Sequence, residues 1–247
     1  IEDGVVVDVG GTTSDIGYLK AGFPREANTA VEVGGVRTLF RMPDLLSIGL
    51  GGGTEITEDG NGIGPGSVGY HLTQEAMVFG GKQLTATDIA VAAGIAEIGE
   101  RTRVAHLDGG IVRRTLGAMR EMIVEGIDRM KTEAGDVPLL AVGGGSFLIP
   151  DRVEGASEVV RVEHHAVANA VGAAIAQVSG EIDRIFSGLS REDALVAAVE
   201  EAQGKAVEAG ADHATLKTVE VEDLPIAYLP GNSVRVRTRV IGAIAAQ

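Results

Sequence analysis

The chain has 247 residues, no cysteine or tryptophan, and a formal net charge of −14. Without cysteine, disulfides and thiolate metal sites are excluded, and an acidic chain with no basic stripe is not built to hold nucleic acid or an anionic membrane surface. With 45% hydrophobic but only 3% aromatic residues, its core must be made from Val, Ile, Leu and Ala. No apolar run approaches the roughly 18 residues of a membrane span and no signal peptide is visible, so a cytoplasmic location is expected.

In chain order, Gly4–Val9 and Asp15–Lys20 read as antiparallel strands joined by Gly10-Gly11-Thr12-Thr13-Ser14. Val31–Phe40 reads as a third strand, interrupted at Gly34-Gly35. Ile48 to Gly81 is glycine-rich and reads as a long loop, which in a compact domain is usually functional. Thr85 and Asp88 form a capping box before an apolar stretch to Ile98. Ile111–Ala134 is a helix, with Val112, Leu116, Met119, Ile123, Ile127 and Met130 at helical spacing.

The run VPLLAV is a buried strand that empties into Gly143-Gly144-Gly145, and Glu158–Glu163 alternates like a strand. A helix is expected over Val167, Ala170, Val171, Ala174, Ile175 and Val178, with a face of small residues. Ser190 and Asp193 cap a helix over Arg191–Ala209, closed by Gly210. Two C-terminal strands follow around a Pro-Gly-Asn turn. A hairpin followed by mixed helices and strands argues for α/β with a mixed sheet. A strand lies within a few residues of Ile1, and the chain is expected to be part of a longer polypeptide.

The first turn carries chemistry that a plain hairpin does not need. Gly10 and Gly11 let the backbone approach a phosphate closely and adopt positive φ. Successive N–H groups there can form an anion-binding nest, and Thr12, Thr13 and Ser14 add hydroxyl donors. Asp8 and Asp15 would repel a bare phosphate but suit Mg²⁺, which binds through one or two carboxylates plus phosphate oxygens. The competing account is a glycine-rich hairpin whose Asp residues make local turn bonds. The second strand-to-glycine junction, at Gly143–Gly145, favours the cradle, because a nucleotide can lie between two such junctions. Neither a P-loop nor a Gly-x-Gly-x-x-Gly fingerprint is present.

VDVGGTTSDIGYL resembles the second phosphate loop of the hydantoinase A/oxoprolinase family, within the actin-like ATPase superfamily. SIGLGGGTE is similar to that family's Ser-Ile-Gly-Ala-Gly-Gly-Gly-Ser segment, and the stretch from GIGPGSVG to TATDIAVAAG resembles the segment that follows. LLAVGGGS resembles the superfamily's adenosine segment. The likeness runs through residues 4–99, is weaker over 137–180, and is slight beyond. One departure is the family's Pro-Gly-Pro-x-x-Tyr, replaced here by VGYHLTQEAMVFGG, which bears on the substrate class.

The resemblance implies an actin-like (ribonuclease H-like) α/β lobe with a mixed β-sheet flanked by helices. Residues 1–247 would form a single second lobe, with 211–247 as C-terminal strands packed on it and the first lobe lying upstream in the same polypeptide. It implies ATP and Mg²⁺ as cofactors. Asp8 and Asp15 would hold the metal. Gly10, Gly11, Thr12 and Thr13 would bind phosphate, Gly51, Gly52 and Gly53 would line the cleft, and Gly143, Gly144 and Gly145 would face the nucleoside. The implied activity is ATP-dependent opening of a cyclic amide of the hydantoin or 5-oxoproline type, with a second enzyme subunit as a further partner. The alternatives are ATP-dependent ketone carboxylation, a non-catalytic actin-like ATPase or chaperone module, and a small-molecule kinase.

Other residues are expected to be structural. Asp88 reads as the N3 acid of its capping box. His164 and His165, adjacent on extended chain, would point to opposite faces and so share no metal, and His71, His106 and His213 have no ligand spacing. Ser67 is not a nucleophile elbow, because Pro65 takes the first glycine position. The small face formed by Ala166, Ala170, Gly172, Ala173 and Ala174 suits the helix by which two actin-like lobes meet.

Overall fold

The computed structural model describes residues 1–27, 32–33, 36–37, 43–168, 177–226, 229, 231 and 233–245. The chain divides into two compact units, Ile1–Asn169 and Ala170–Gln247.

The first unit contains strands β1 (Gly4–Val9), β2 (Ser14–Lys20), β3 (Phe23–Pro24), β4 (Glu32–Val33), β5 (Val36–Arg37), β6 (Leu45–Ile48), β7 (Thr54–Ile56), β8 (Ile63–Ser67), β9 (Val137–Val142) and β10 (Ala156–Val160). Its main sheet runs β10-β9-β1-β2-β3, with β6 also pairing β2. β1–β9 and β9–β10 are parallel, while β1–β2, β2–β3 and β2–β6 are antiparallel. This is the expected mixed sheet. Val5, Val7 and Val9 alternate into the core and are fully buried, as the two-residue period of a strand requires.

The long helix Gly109–Met130 covers one face of that core with Val112, Met119, Ile123, Ile127 and Met130. Its N-cap is Asp108, whose Oδ1 accepts the N–H groups of Gly110 (2.8 Å) and Ile111 (3.0 Å). Those bonds, that of Ile111 first, hold the carboxyl below the ordinary carboxylate range. Gly126 lies against the Ile16 side chain, so the helix and β2 approach closely. The helix ends at Met130 rather than at the expected Ala134, and Ala134, at the next helical spacing, is exposed.

Three other expectations change in the first unit. The apolar stretch after Thr85 is helical only over Ala86–Ala93, where Gly94 at φ 76° closes it before Ile98. The long loop Ile48–Gly81 contains the antiparallel hairpin β7–β8, the short helix Leu72–Glu75 and two 3₁₀ turns. Those strands are too short and too rich in glycine for alternation to show. Within Val31–Phe40, β4 and β5 pair with each other, Glu32 opposite Arg37, and the remaining positions lie outside the described residues.

The second unit is an antiparallel sheet of order β11-β13-β12, formed by β11 (Val178–Phe186), β12 (Lys217–Pro225) and β13 (Val234–Gly242). Helix Arg191–Glu208 packs on it through Ala194, Ala198, Ala202 and Ala206, all fully buried. A side chain at Gly180 would overlap the backbone of Ala202 and Ala206, so small residues on both partners set the helix–sheet distance. Arg235 pairs with Asp183 and Arg191 with Asp223, each at 2.6 Å.

Of the C-terminal strands expected in 211–247, β13 pairs with β11 and β12 pairs with β13 inside this unit. Of the helix expected from Val167, residues 169–176 lie outside the described ones. Val167 itself is exposed in the 3₁₀ turn His165–Val167, and Val178 opens β11. Pro230 and Asn232 of the expected Pro-Gly-Asn turn also lie outside the described residues. Among the described residues no helix is long and apolar enough to cross a membrane.

Candidate functional site

The register of β1 and β2 sets Asp8 directly opposite Asp15, one pair before Val9 and Ser14 close the strands. Val5, Val7 and Val9 face the core with Ser14, Ile16 and Tyr18, so alternation puts both carboxylates on the other face of the sheet. Like charges directly opposite one another destabilise an antiparallel pair, by about 0.2–1 kcal/mol on the scale of cross-strand pairs. A divalent cation between them would reverse that sign. Ser47 on β6 lies opposite Asp15 and donates its hydroxyl to Asp15 Oδ1, which orients that carboxylate. Among the described residues there is no cluster of three or more His, Asp or Glu. The donor set is therefore a carboxylate pair, suited to a cation that completes its shell with water and phosphate oxygens.

Between these strands Gly10 donates its N–H to Thr13 O at 2.8 Å. The N–H groups of Gly11, Thr12 and Thr13 have no acceptor among the described residues, and all three residues are exposed. Three successive free donors in a turn form an anion nest. Neither Gly10 nor Gly11 takes positive φ, so that part of the expectation is corrected. What Gly11 supplies is room. A Cβ there would meet nothing nearer than Gly69 O at 3.9 Å, so packing within the chain does not require glycine at this position.

Gly51, Gly52 and Gly53 are buried beneath the turn. A Cβ on Gly51 would sit 2.6 Å from Thr12 N and 2.7 Å from Gly11 C. Gly52 N–H donates to Gly10 O (3.0 Å), Gly53 N–H to Gly11 O (2.6 Å) and Gly51 N–H to Thr54 Oγ1 (2.7 Å). All three N–H groups are thus used inside the chain, and the triplet supports the turn. Thr87 anchors it in turn, its hydroxyl donating to Gly52 O at 2.7 Å. Ser67 Oγ braces the same turn, 3.4 Å from both Gly11 O and Thr12 Oγ1.

These contacts make opposite predictions for two glycines. Gly51→Ala should lower stability by about 1–3 kcal/mol, the usual cost of overpacking. Gly11→Ala should leave the unfolding midpoint within about 0.5 kcal/mol of the parent yet weaken phosphate binding. Chemical denaturation of both variants in this chain, and nucleotide binding by both in the full protein that contains it, check the pair.

Asp88 is fully buried and accepts from Val78 N (2.7 Å), Thr85 N (2.8 Å), Thr85 Oγ1 (2.8 Å) and Met77 N (3.3 Å). Its expected capping role holds, and it adds a clamp on the Met77–Phe79 turn that the sequence did not indicate.

Gly143–Gly145 packs on the same end of β1. Gly143, at φ 88°, must be glycine, because a Cβ would overlap Asp8 Oδ1 and Val9 O. Gly145 donates its N–H to Val9 O at 2.8 Å. Gly144 between them is exposed, has nothing within 4 Å of its Cβ position, and its N–H lacks an acceptor among the described residues. It opens into a cavity of about 770 Å³ whose wall includes Leu116, Arg120, Ser146, Phe147 and His165. A second cavity, of about 570 Å³ and walled in part by Glu55, Lys82 and His106, shares no lining residue with the turn.

Residues 1–102 match the model of the hydantoinase/oxoprolinase family. Acetone carboxylase in its nucleotide-free structure, an enzyme of ATP-dependent acetone carboxylation, superposes with a TM-score of 0.62 at 16% identity, over 99% of this chain and 47% of its own. Ethanolamine utilization protein EutJ from Carboxydothermus hydrogenoformans aligns over 70% of this chain and 48% of its own, at 17% identity and a TM-score of 0.32. The chain thus spans about half the length of these solved structures. No curated protein matches its sequence. The α/β class with a mixed sheet, expected from the sequence, is the one observed. The matched segment carries the Gly10–Thr13 turn, both carboxylates and the supporting glycines, whereas Gly143–Gly145 lies beyond it.

Proposed function

We propose that this chain is the phosphate- and adenosine-binding second lobe of an ATP-dependent enzyme of the hydantoinase/oxoprolinase type, which opens a cyclic amide. The observation that carries this is the row of acceptor-free N–H groups at Gly11, Thr12 and Thr13, set beside the Asp8–Asp15 carboxylate pair. ATP would supply the phosphoryl group that activates the amide oxygen of the substrate. The chain's own part is positioning and charge neutralisation. Asp8 and Asp15 would hold Mg²⁺, with Ser47 fixing the second carboxylate. Gly10, Gly11, Thr12 and Thr13 would bind the phosphates. Gly144 would direct its N–H at the nucleotide where the neighbouring cavity begins. The match of residues 1–102 to the hydantoinase/oxoprolinase family model supports this reading. The fold shared with acetone carboxylase makes ketone carboxylation the second reading, with the same lobe and the same residues.

With one phosphate hairpin where the proposed site uses two, the isolated 247-residue chain should bind ATP poorly and show no steady turnover, because the γ-phosphate stays in water. Supplying the proposed upstream lobe should restore both. The assay is phosphate release with Mg-ATP and candidate cyclic amides or ketones, followed by product analysis. Sustained, substrate-dependent hydrolysis by this chain alone would sink the half-site proposal.

A further inference from the structure

We propose that the second cavity, walled in part by Glu55, Lys82 and His106, is a binding site for an apolar α-amino acid. Its ammonium would sit on Glu55, its carboxylate on Lys82 and its side chain against Met77 and Leu107. The proposal is independent of the nucleotide assignment, because this cavity shares no lining residue with the Gly10–Thr13 turn or with the cavity beside Gly144.

At about 570 Å³ the cavity falls within the roughly 300–1,000 Å³ of small-molecule sites, which combine apolar wall with a few placed polar groups. The Glu55 carboxylate is such a group. Glu55 is the middle residue of β7, and its Oε2 and Oε1 lie 2.9 Å and 3.5 Å from the point that a Cβ on Gly66 would take. Gly66 belongs to the cavity wall, so the carboxylate lies against that wall, over β8, where glycine leaves it room. Glu55 is half-buried, and among the described residues its side chain has no hydrogen-bond or ion-pair partner. A carboxylate partly withdrawn from water without a donor is unfavourable, and a ligand ammonium would supply the charge-assisted bond it lacks.

The wall does not suit a metal ion in place of that ammonium. Glu58 and His106 also stand in it, yet among the described residues no three His, Asp or Glu converge on one point. Lys82 is exposed in the same wall, and among the described residues it pairs with neither Glu55 nor Glu58. A cavity that keeps an acid and an amine apart presents two poles, and a zwitterion satisfies both.

The apolar part of the wall selects the side chain. Met77 and Leu107 pack against the core of the first unit but stay half-buried, so apolar surface is left uncovered at the cavity. The unbranched thioether of Met77 adapts to apolar shapes. A small molecule that joins two charged poles across such a wall is an amino acid with an aliphatic or thioether side chain.

The test measures binding of L-leucine and L-methionine, by titration calorimetry, to the full natural chain that contains this lobe. Two leucine analogues each lack one pole: 4-methylpentanoate has no amine, and 3-methylbutylamine has no carboxylate. The wild type should bind both amino acids, and each analogue at least about tenfold more weakly than L-leucine, the weight of one hydrogen bond to a charged group. Glu55→Gln and Lys82→Met should each weaken L-leucine binding by about the same factor. The analogue comparison uses the wild type alone, so it holds whatever a variant does to folding. Absence of L-leucine binding to the wild type at about 10 mM overturns the proposal. So does an analogue that binds as tightly as L-leucine, or an affinity for L-leucine that is unchanged in Glu55→Gln or in Lys82→Met.

Discussion

Asp8→Ala should reduce Mg-dependent ATP turnover of the complete enzyme by about 10²–10³-fold or more, the range seen when a transition-state charge stabiliser is removed, and leave the fold intact. Asp8 is the last side chain of its face before the turn, and its neighbours on the core face, Val7 and Val9, carry the packing. Its carboxylate faces that of Asp15 across the strand pair. Removing one of two opposed charges relieves the repulsion between them in the absence of metal. With Mg²⁺ present the balance inverts, because a hard cation loses one of its two carboxylates. Two measurements check this: steady-state phosphate release, and thermal unfolding of parent and variant across a Mg-ATP titration. A variant that still gains as much thermal stability from Mg-ATP as the parent would remove Asp8 from the metal site.

Asp88→Ala should be the most destabilising single change in the first unit, costing about 3–5 kcal/mol. Hydrogen bonds to a charged group contribute about 1.5–3 kcal/mol each, and a donor left buried without a partner costs about 1–3 kcal/mol. Asp88 accepts from two backbone N–H groups of the Met77–Phe79 turn, and from the N–H and hydroxyl of Thr85, with no access to water. The alanine variant orphans those donors and deletes half of the capping box. The effect should spread, since Thr87 in the same turn anchors Gly52 beneath the phosphate turn. At about 2–4 °C per kcal/mol for a chain of this size, the midpoint should fall by roughly 6–20 °C. Calorimetry checks the value, and a shift under about 1 kcal/mol would show that water can replace the carboxylate.

Some of this protein is determined by its sequence alone. Val5, Val7 and Val9 alternate with a period of two, the Gly109–Met130 helix shows its apolar stripe, and Thr85 with Asp88 announces a helix start. Each pattern is complete within a few neighbouring residues, so local propensity and burial suffice to produce it. The Gly10–Thr13 turn and the Gly143–Gly145 run are legible as candidate sites for the same reason: glycine between an apolar strand and hydroxyl residues frees the backbone for close approach.

The tertiary structure alone decides what these pieces do together. That Gly51–Gly53 lies under the phosphate turn with its N–H groups consumed, that Ser47 orients Asp15, and that the carbonyl of His165 holds Gly143 all depend on strand register and on chain brought in from far along the sequence. β11 and the second core were missed because Val178 also suits a helical stripe, and only pairing with β13 resolves which period applies. A glycine carries no side chain to declare its role. Whether it borders open space, as at Gly11, or makes room for another stretch of backbone, as at Gly51, depends on what the fold sets against it.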